Sequence, residues 1–281
     1  MATHEFGGGW TEIKLDLLQR YLEAWLRVMK NQPFELVYVD AFAGSGKCSV
    51  RGQDGEIDGS ALRALSLHGF GQYYFFEQDR GRAQDLRNIC QDPQFSGKNI
   101  DVQEGDGNAL VKKMLNEHDW QSTRAVLFLD PYGMEVEWET LKAIAETEAI
   151  DVWYLFSISG LFRNAALQYS AVDKGKEAIL TRTLGTDEWK LALYEQHPQG
   201  GLFDTEPNLQ RAMEVADLEI YVKDRLSTVF PKVLNPKRLV NNKNAPLFSL
   251  FFAVSNPGEK AQGIAAGIAN HLLHKLKTPQ Q

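Results

Sequence analysis

Apolar runs in this chain of 281 residues repeatedly end in an acid. Val37-Tyr38-Val39 runs into Asp40, Phe75-Phe76 into Glu77, Ile100-Asp101-Val102 toward Asp106, and Leu127-Phe128-Leu129 into Asp130. An ionised carboxylate only accepts hydrogen bonds, so acids gathered at one edge suit a ligand rich in donors: an ammonium, a ribose diol or an exocyclic amine. Asp is also a favoured helix N-cap, and capping would account for one or two of these acids more readily than for four.

The first acid opens into Ala41-Phe42-Ala43-Gly44-Ser45-Gly46-Lys47-Cys48-Ser49. A phosphate cradle of the form G-x-x-x-x-G-K-[ST] fails here, because Ala41 stands at its first glycine and Cys48 at its hydroxyl position. The dinucleotide pattern G-x-G-x-x-G begins with Gly44 and Gly46 but meets Ser49, which disfavours a nicotinamide-dependent oxidoreductase. What fits better is D-x-F-x-G-x-G on Asp40, Phe42, Gly44 and Gly46, with the small Ala43 and Ser45 between; the alternative is a plain strand-to-helix turn. Small residues let a ligand approach the backbone without a Cβ clash.

The elements that must hold these residues follow from periodicity. Residues 11–30 carry Leu15, Leu18, Leu22, Trp25, Leu26 and Met29 at helical spacing. Apolar strands at 34–40, 72–79, 100–106, 124–133 and 150–159 then alternate with helical segments at 59–69, 81–91, 108–120 and 136–147. Such alternation predicts a parallel sheet with helices on both faces, whose ligands bind at the carboxyl ends of the strands. Residues 160–229 read as helical only, and 160–207 as a helical insertion over that edge. Residues 237–258 read as two strands joined by an Asn-rich turn, followed by a last helix. The whole chain reads as a single domain.

The bulk composition bounds the function classes. The net charge is −7, which argues against gripping nucleic acid through general electrostatics alone. Lys232, Lys237, Arg238 and Lys243 form a basic segment without an intervening acid; it could track a nucleic-acid backbone, or discourage strand aggregation. Cys48 and Cys90 lack a CxxC spacing, which suggests a reduced, cytoplasmic protein without a zinc site. No signal peptide or membrane span is evident. His271 and His274 read as surface histidines, and Arg163 as an arginine beside the expected site. Trp10 and Lys14 lie on a helix that could cover a pocket; a packing tryptophan and a solvated lysine are the plainer reading.

The D-x-F-x-G-x-G stretch resembles the first motif of S-adenosyl-L-methionine-dependent methyltransferases. L-F-L-D-P-Y-G resembles the D/N-P-P-Y/F motif of amino-methyltransferases, and more closely the D-P-F-G form of an RNA guanine-N2 methyltransferase family, although one proline and Gly133 depart from the usual pattern. The chain as a whole resembles the three-Cys-motif partner proteins of bacteria and phages, through W-T-E-I-K-L-D-L-L-Q-R-Y-L-E-A-W, Y-V-D-A-F-A-G-S-G-K, D-G-S-A-L-R-A-L, Y-F-F-E-Q-D and F-L-D-P-Y-G. These resemblances imply a Rossmann-like class I methyltransferase fold, α/β with a seven-stranded mixed sheet ordered 3-2-1-4-5-7-6.

The same resemblances imply S-adenosyl-L-methionine as cofactor. Asp40, Phe42, Ala43, Gly44, Ser45 and Gly46 would form its loop, Glu77 and Gln78 would meet the ribose, Asp106 and Gly107 the adenine, and Asp130 would border it. Asp130, Pro131, Tyr132 and Gly133 would be the reactive site, without a metal. The implied activity is N-methylation of an exocyclic amine of a nucleobase in RNA or DNA. The alternative is a cofactor-binding, non-catalytic partner of a three-Cys-motif, radical-S-adenosylmethionine-like protein.

Overall fold

The computed structural model describes residues 9–49, 55–196, 208–241 and 243–275. In chain order, helix α1 is Gly9–Met29 and strand β1 is Glu35–Asp40. Lys47–Ser49 (β2) and Glu56–Asp58 (β3) form a small antiparallel hairpin ahead of α2, Ser60–Leu65. Next come β4 (Gln72–Glu77), α3 (Arg80–Cys90), β5 (Ile100–Glu104), α4 (Gly107–Leu115), β6 (Thr123–Leu129), α5 (Trp138–Glu146) and β7 (Ile150–Phe156). Then follow α6 (Ile158–Asn164), α7 (Lys174–Leu184), α8 (Trp189–Leu193), β8 (Tyr194–Gln196), β9 (Leu209–Arg211) and α9 (Val215–Ser227). The chain continues through β10 (Lys232–Val233), β11 (Lys237–Val240), β12 (Pro246–Val254) and α10 (Glu259–Lys275).

The central sheet runs β10-β12-β7-β6-β1-β4-β5, with β11 also paired to β12. β1, β4, β5, β6 and β7 are parallel, whereas β12 is antiparallel to β7. This is the expected seven-position order, with its last position split into two short strands, β10 and β11. Pro236 lies in the break, where it cannot donate to the ladder. β7 is buried along its whole length because helices cover both faces of the sheet, and parallel strands so placed read as unbroken apolar runs.

α1, α2 and α10 pack on one face, while α4, α5, α6, α7 and α9 belong to the other. Leu15, Leu18, Leu22 and Trp25 of α1 are all buried. α1 is also pinned by polar contacts, since Tyr21 Oη and Trp25 Nε1 both donate to Asp151 Oδ2 near the start of β7, at 2.7 and 2.9 Å. The axis of α1 thereby crosses from the amino edge of the sheet to the carboxyl edge, where Lys14 lies.

The helical-only expectation for 160–229 is corrected by the β8–β9 ribbon. Its strands are three residues each, too short to show a period, and tertiary contacts fix them. Tyr194 Oη donates to Ala166 O, and the Arg211 guanidinium caps the carbonyls of Phe162 and Ala165 at the end of α6. Of the expected insertion, residues 197–207 lie outside the described residues. No helix among the described residues is long and apolar enough to cross a membrane.

Candidate functional site

Asp40 ends β1 in the middle of the sheet and is fully buried. Its Oδ1 accepts the Phe42 N–H at 3.3 Å, while its Oδ2 finds no hydrogen-bond partner among the described residues. Burial pushes this carboxyl up to about 7, and the nearby Asp130 charge adds to the rise; Ser60, the Phe42 amide and the Lys14 cation oppose it. A buried, unsatisfied acceptor is costly and calls for a missing donor. Beyond it, the loop turns through Gly44 at φ +65° and Gly46 at φ +87°, where residues other than glycine are strained. A Cβ at Gly44 would meet no described residue within 4 Å.

Glu77, at the end of β4, is also buried and already engaged. Its Oε2 accepts the Gly44 N–H at 2.9 Å. Its Oε1 accepts the Asp79 N–H at 2.8 Å, together with Arg82 Nε and Nη2 at 3.1 and 2.9 Å. Arg82 Nη1 continues to Tyr132 Oη at 2.8 Å, and its guanidinium lies 4.8 Å from the centre of that ring. Gln78 beside Glu77 is exposed.

Asp106 is the N-cap of α4, accepting the Ala109 N–H at 2.9 Å, so one of the four acids does have the capping role. Its neighbour Gly107 packs so closely that a Cβ would lie 2.5 Å from Ala41 O and 3.3 Å from the Phe42 ring. The Asp106-Gly107 turn is thereby held against the loop after β1. Ala43 is anchored through its N–H to Phe76 O, and Ser45 Oγ donates to Lys47 O.

Asp130 follows β6, next to β1, and is ion-paired with Lys14 of α1. Lys14 is buried and lies 5.0 Å from the centre of the Trp10 ring, which itself packs on Phe248. The solvated-lysine reading therefore fails. The helix is carried over the carboxyl edge by its apolar face and delivers the cation to a carboxylate. Pro131 is buried and Tyr132 is 51% exposed. A Cβ at Gly133 would meet nothing within 4 Å.

The loop then returns under firm control. Asn108 of α4 donates to Glu135 O and accepts from the Glu137 N–H and Thr140 Oγ1, and Arg182 of α7 donates to Met134 O. The expected residues of β1, β4, α4 and β6 thus share one edge. Asp40, Lys14 and Asp130 are electrostatic neighbours there, and Glu77 joins the glycine loop to Arg82 and Tyr132.

Other sequence candidates fall elsewhere. Arg238 is held by Glu219, whose Oε1 also takes the Ser249 hydroxyl at 2.6 Å, so it belongs to a structural pair rather than a free basic track. Arg163, His271 and His274 are exposed, and no group of three potential metal ligands occurs among the described residues. Arg82 was not singled out from sequence; an arginine five positions after a strand-end acid is a weak signal, and its second partner is 50 residues away.

The cluster fits S-adenosyl-L-methionine in charge and in donors. With Asp40 ionised, Asp40, Asp130 and Lys14 sum to one negative charge, which would complement the single net positive charge of the ammonium, sulfonium and carboxylate of that cofactor. Asp40 Oδ2 is an unfilled acceptor, and the open faces of Gly44 and Gly133 leave room.

No family model matches the chain, and no curated protein matches it. Among solved structures, a Legionella pneumophila protein of the domain family DUF519 aligns at 13% identity with a TM-score of 0.50, over 92% of this chain and 91% of that one. Trm1 from Pyrococcus horikoshii, in complex with S-adenosyl-L-methionine, aligns at 13% identity and a TM-score of 0.41, over 88% of this chain and 56% of that one. A spermidine synthase from Thermotoga maritima aligns at 13% identity and a TM-score of 0.39, over 86% and 61%. The fold of this chain is a Rossmann-like α/β fold with a mixed sheet in the expected order.

Proposed function

We propose that the chain is an S-adenosyl-L-methionine-dependent N-methyltransferase acting on an exocyclic amine of a nucleobase in RNA or DNA. The observation that carries this reading is the meeting of a buried carboxylate with an unfilled oxygen, Asp40, and the Asp130-Pro131-Tyr132-Gly133 turn at the carboxyl edge of adjacent strands. Bound cofactor would supply an electrophilic methyl group on a sulfonium. Asp40 would hold its ammonium, the Gly44 loop its amino-acid portion, Glu77 its ribose and Asp106 its adenine.

The chain's own part in the chemistry is positioning. An exocyclic amine is a poor nucleophile because its lone pair is delocalised into the ring. Asp130 and the Pro131 carbonyl would accept its N–H bonds and favour the pyramidal form, and once the methyl has moved from sulfur to nitrogen the surplus amine proton would leave to solvent. Tyr132 presents a ring on which the base stacks. Alignment of the two reactants provides most of the acceleration, and a base in a duplex must first be flipped out.

A second reading is a cofactor-binding, non-catalytic partner of a three-Cys-motif protein. It is favoured by the engagement of both reactive groups, Asp130 by Lys14 and Tyr132 by Arg82. Incubation with RNA and DNA oligonucleotides and S-adenosyl-L-methionine carrying a labelled methyl separates the two. The first reading predicts incorporation that Asp130→Ala abolishes. Cofactor binding with no transfer to either nucleic acid would overturn it in favour of the second.

A further inference from the structure

Arg82 stands where both ligands of the proposed site would have to go. Two of its three guanidinium nitrogens, Nε and Nη2, occupy Glu77 Oε1, the carboxylate oxygen at the ribose position. The third, Nη1, reaches Tyr132 Oη, and the guanidinium carbon lies over the aromatic ring on which a base would stack, 4.8 Å from its centre. Glu77 Oε2 is meanwhile committed to the Gly44 N–H, so a ribose diol seeking paired acceptors finds one oxygen crowded and the other half used. The contacts form one path: glycine loop, Glu77, Arg82, Tyr132.

We propose that Arg82 is an autoinhibitory latch across this site, released from Glu77 when a nucleoside cofactor binds and thereby withdrawn from the Tyr132 ring. The inference rests on the reading of this edge as a cofactor site. Its physical basis is that one side chain supplies donors to the carboxylate and a cation to the aromatic face, so neither ligand enters without displacing it. Either ligand then meets a site that the other has partly cleared, which makes the two bindings mutually favourable. The tyrosine side of the latch is a hydrogen bond plus a cation–π contact, modest interactions at an exposed site. Its loss should change cofactor affinity by roughly three- to tenfold.

A latch and a support predict opposite signs. If Arg82 only holds Glu77 in place for the ligand, removing it weakens binding. If it blocks the ligand, removing it tightens binding. The test is calorimetric titration with S-adenosylhomocysteine of wild type, Arg82→Met and Tyr132→Phe, with thermal melting as the check on folding. Tyr132→Phe alters an exposed ring and is expected to keep the fold, so the test does not depend on the arginine variant alone. The expected result is tighter binding in both variants, by roughly three- to tenfold in Arg82→Met and by less in Tyr132→Phe, which loses the hydrogen bond but keeps the ring, or binding by Arg82→Met where wild type shows none. Wild-type binding that Tyr132→Phe leaves unchanged, or that Arg82→Met weakens, overturns the latch while leaving the cofactor site standing. Absence of binding in all three chains overturns the cofactor reading and the latch with it.

Discussion

Asp40→Asn removes a charge that the fold holds at a cost, and the size of that cost depends on pH. Burial first, and the Asp130 charge second, push the wild-type carboxyl up to about 7 in the folded chain, against about 3.9 when unfolded. Between those values the folded chain keeps a proton that the unfolded chain has lost. Stability therefore declines as pH rises through the window and levels off above it. At about 1.4 kcal/mol per pH unit, raising the pH from roughly 5 to 8 should cost the wild type about 2–3 kcal/mol at this group. Asp40→Asn escapes that loss. Asp151, pushed up to about 6 by burial, titrates in the same range but is common to both chains and cancels in the difference.

Urea unfolding of the two proteins at several pH values across this range measures the effect. The stability of Asp40→Asn relative to wild type should climb by about 2–3 kcal/mol from acid to mild alkali. Stability curves that run parallel across the range would refute the claim that this carboxylate is buried and short of donors. The same proton must leave before Asp40 can receive an ammonium, so wild-type affinity for S-adenosylhomocysteine should rise over the same window.

Three other substitutions probe the scaffold around the site. Lys14→Met leaves Asp130 unpaired at 19% side-chain exposure; urea unfolding should show a loss of about 2–3 kcal/mol, most of it recovered when Asp130→Asn is added. Gly185→Ala combines φ +69° with a Cβ 2.0 Å from the Trp138 ring, which starts α5 behind the Asp130 turn; a loss of at least about 2 kcal/mol should appear as a lowered melting temperature. Arg238→Met strands the buried Glu219; it should destabilise by about 2–3 kcal/mol in the same assay, without changing the affinity for single-stranded RNA in a filter-binding assay.

The strands were legible in the sequence because β1, β6 and β7 are largely apolar, and such runs identify a sheet covered on both faces, whereas their order came from the family resemblance alone. The edge was legible because acids at strand ends break those runs. What the acids do there was less so, since capping and ligand binding draw on the same residue type: Asp106 caps α4, while Asp40 caps no helix and its Oδ2 lacks a donor among the described residues. The Lys14–Asp130 pair joins residues 116 apart, and neither local periodicity nor spacing encodes such a pairing. Arg82 was hidden for the same reason. The β8–β9 ribbon escaped because three-residue strands held by Arg211 and Tyr194 contacts carry no alternation to read.

The central claim is that these strand ends gather around an adenosine-containing cofactor through Asp40. Equilibrium dialysis with labelled S-adenosyl-L-methionine at mildly alkaline pH, on wild type and Asp40→Ala, tests it directly. One bound molecule per wild-type chain, reduced at least tenfold in affinity by Asp40→Ala, is the predicted result, since a charge-assisted contact of this kind is worth about 1.5–3 kcal/mol. Equal retention by both proteins would contradict the claim.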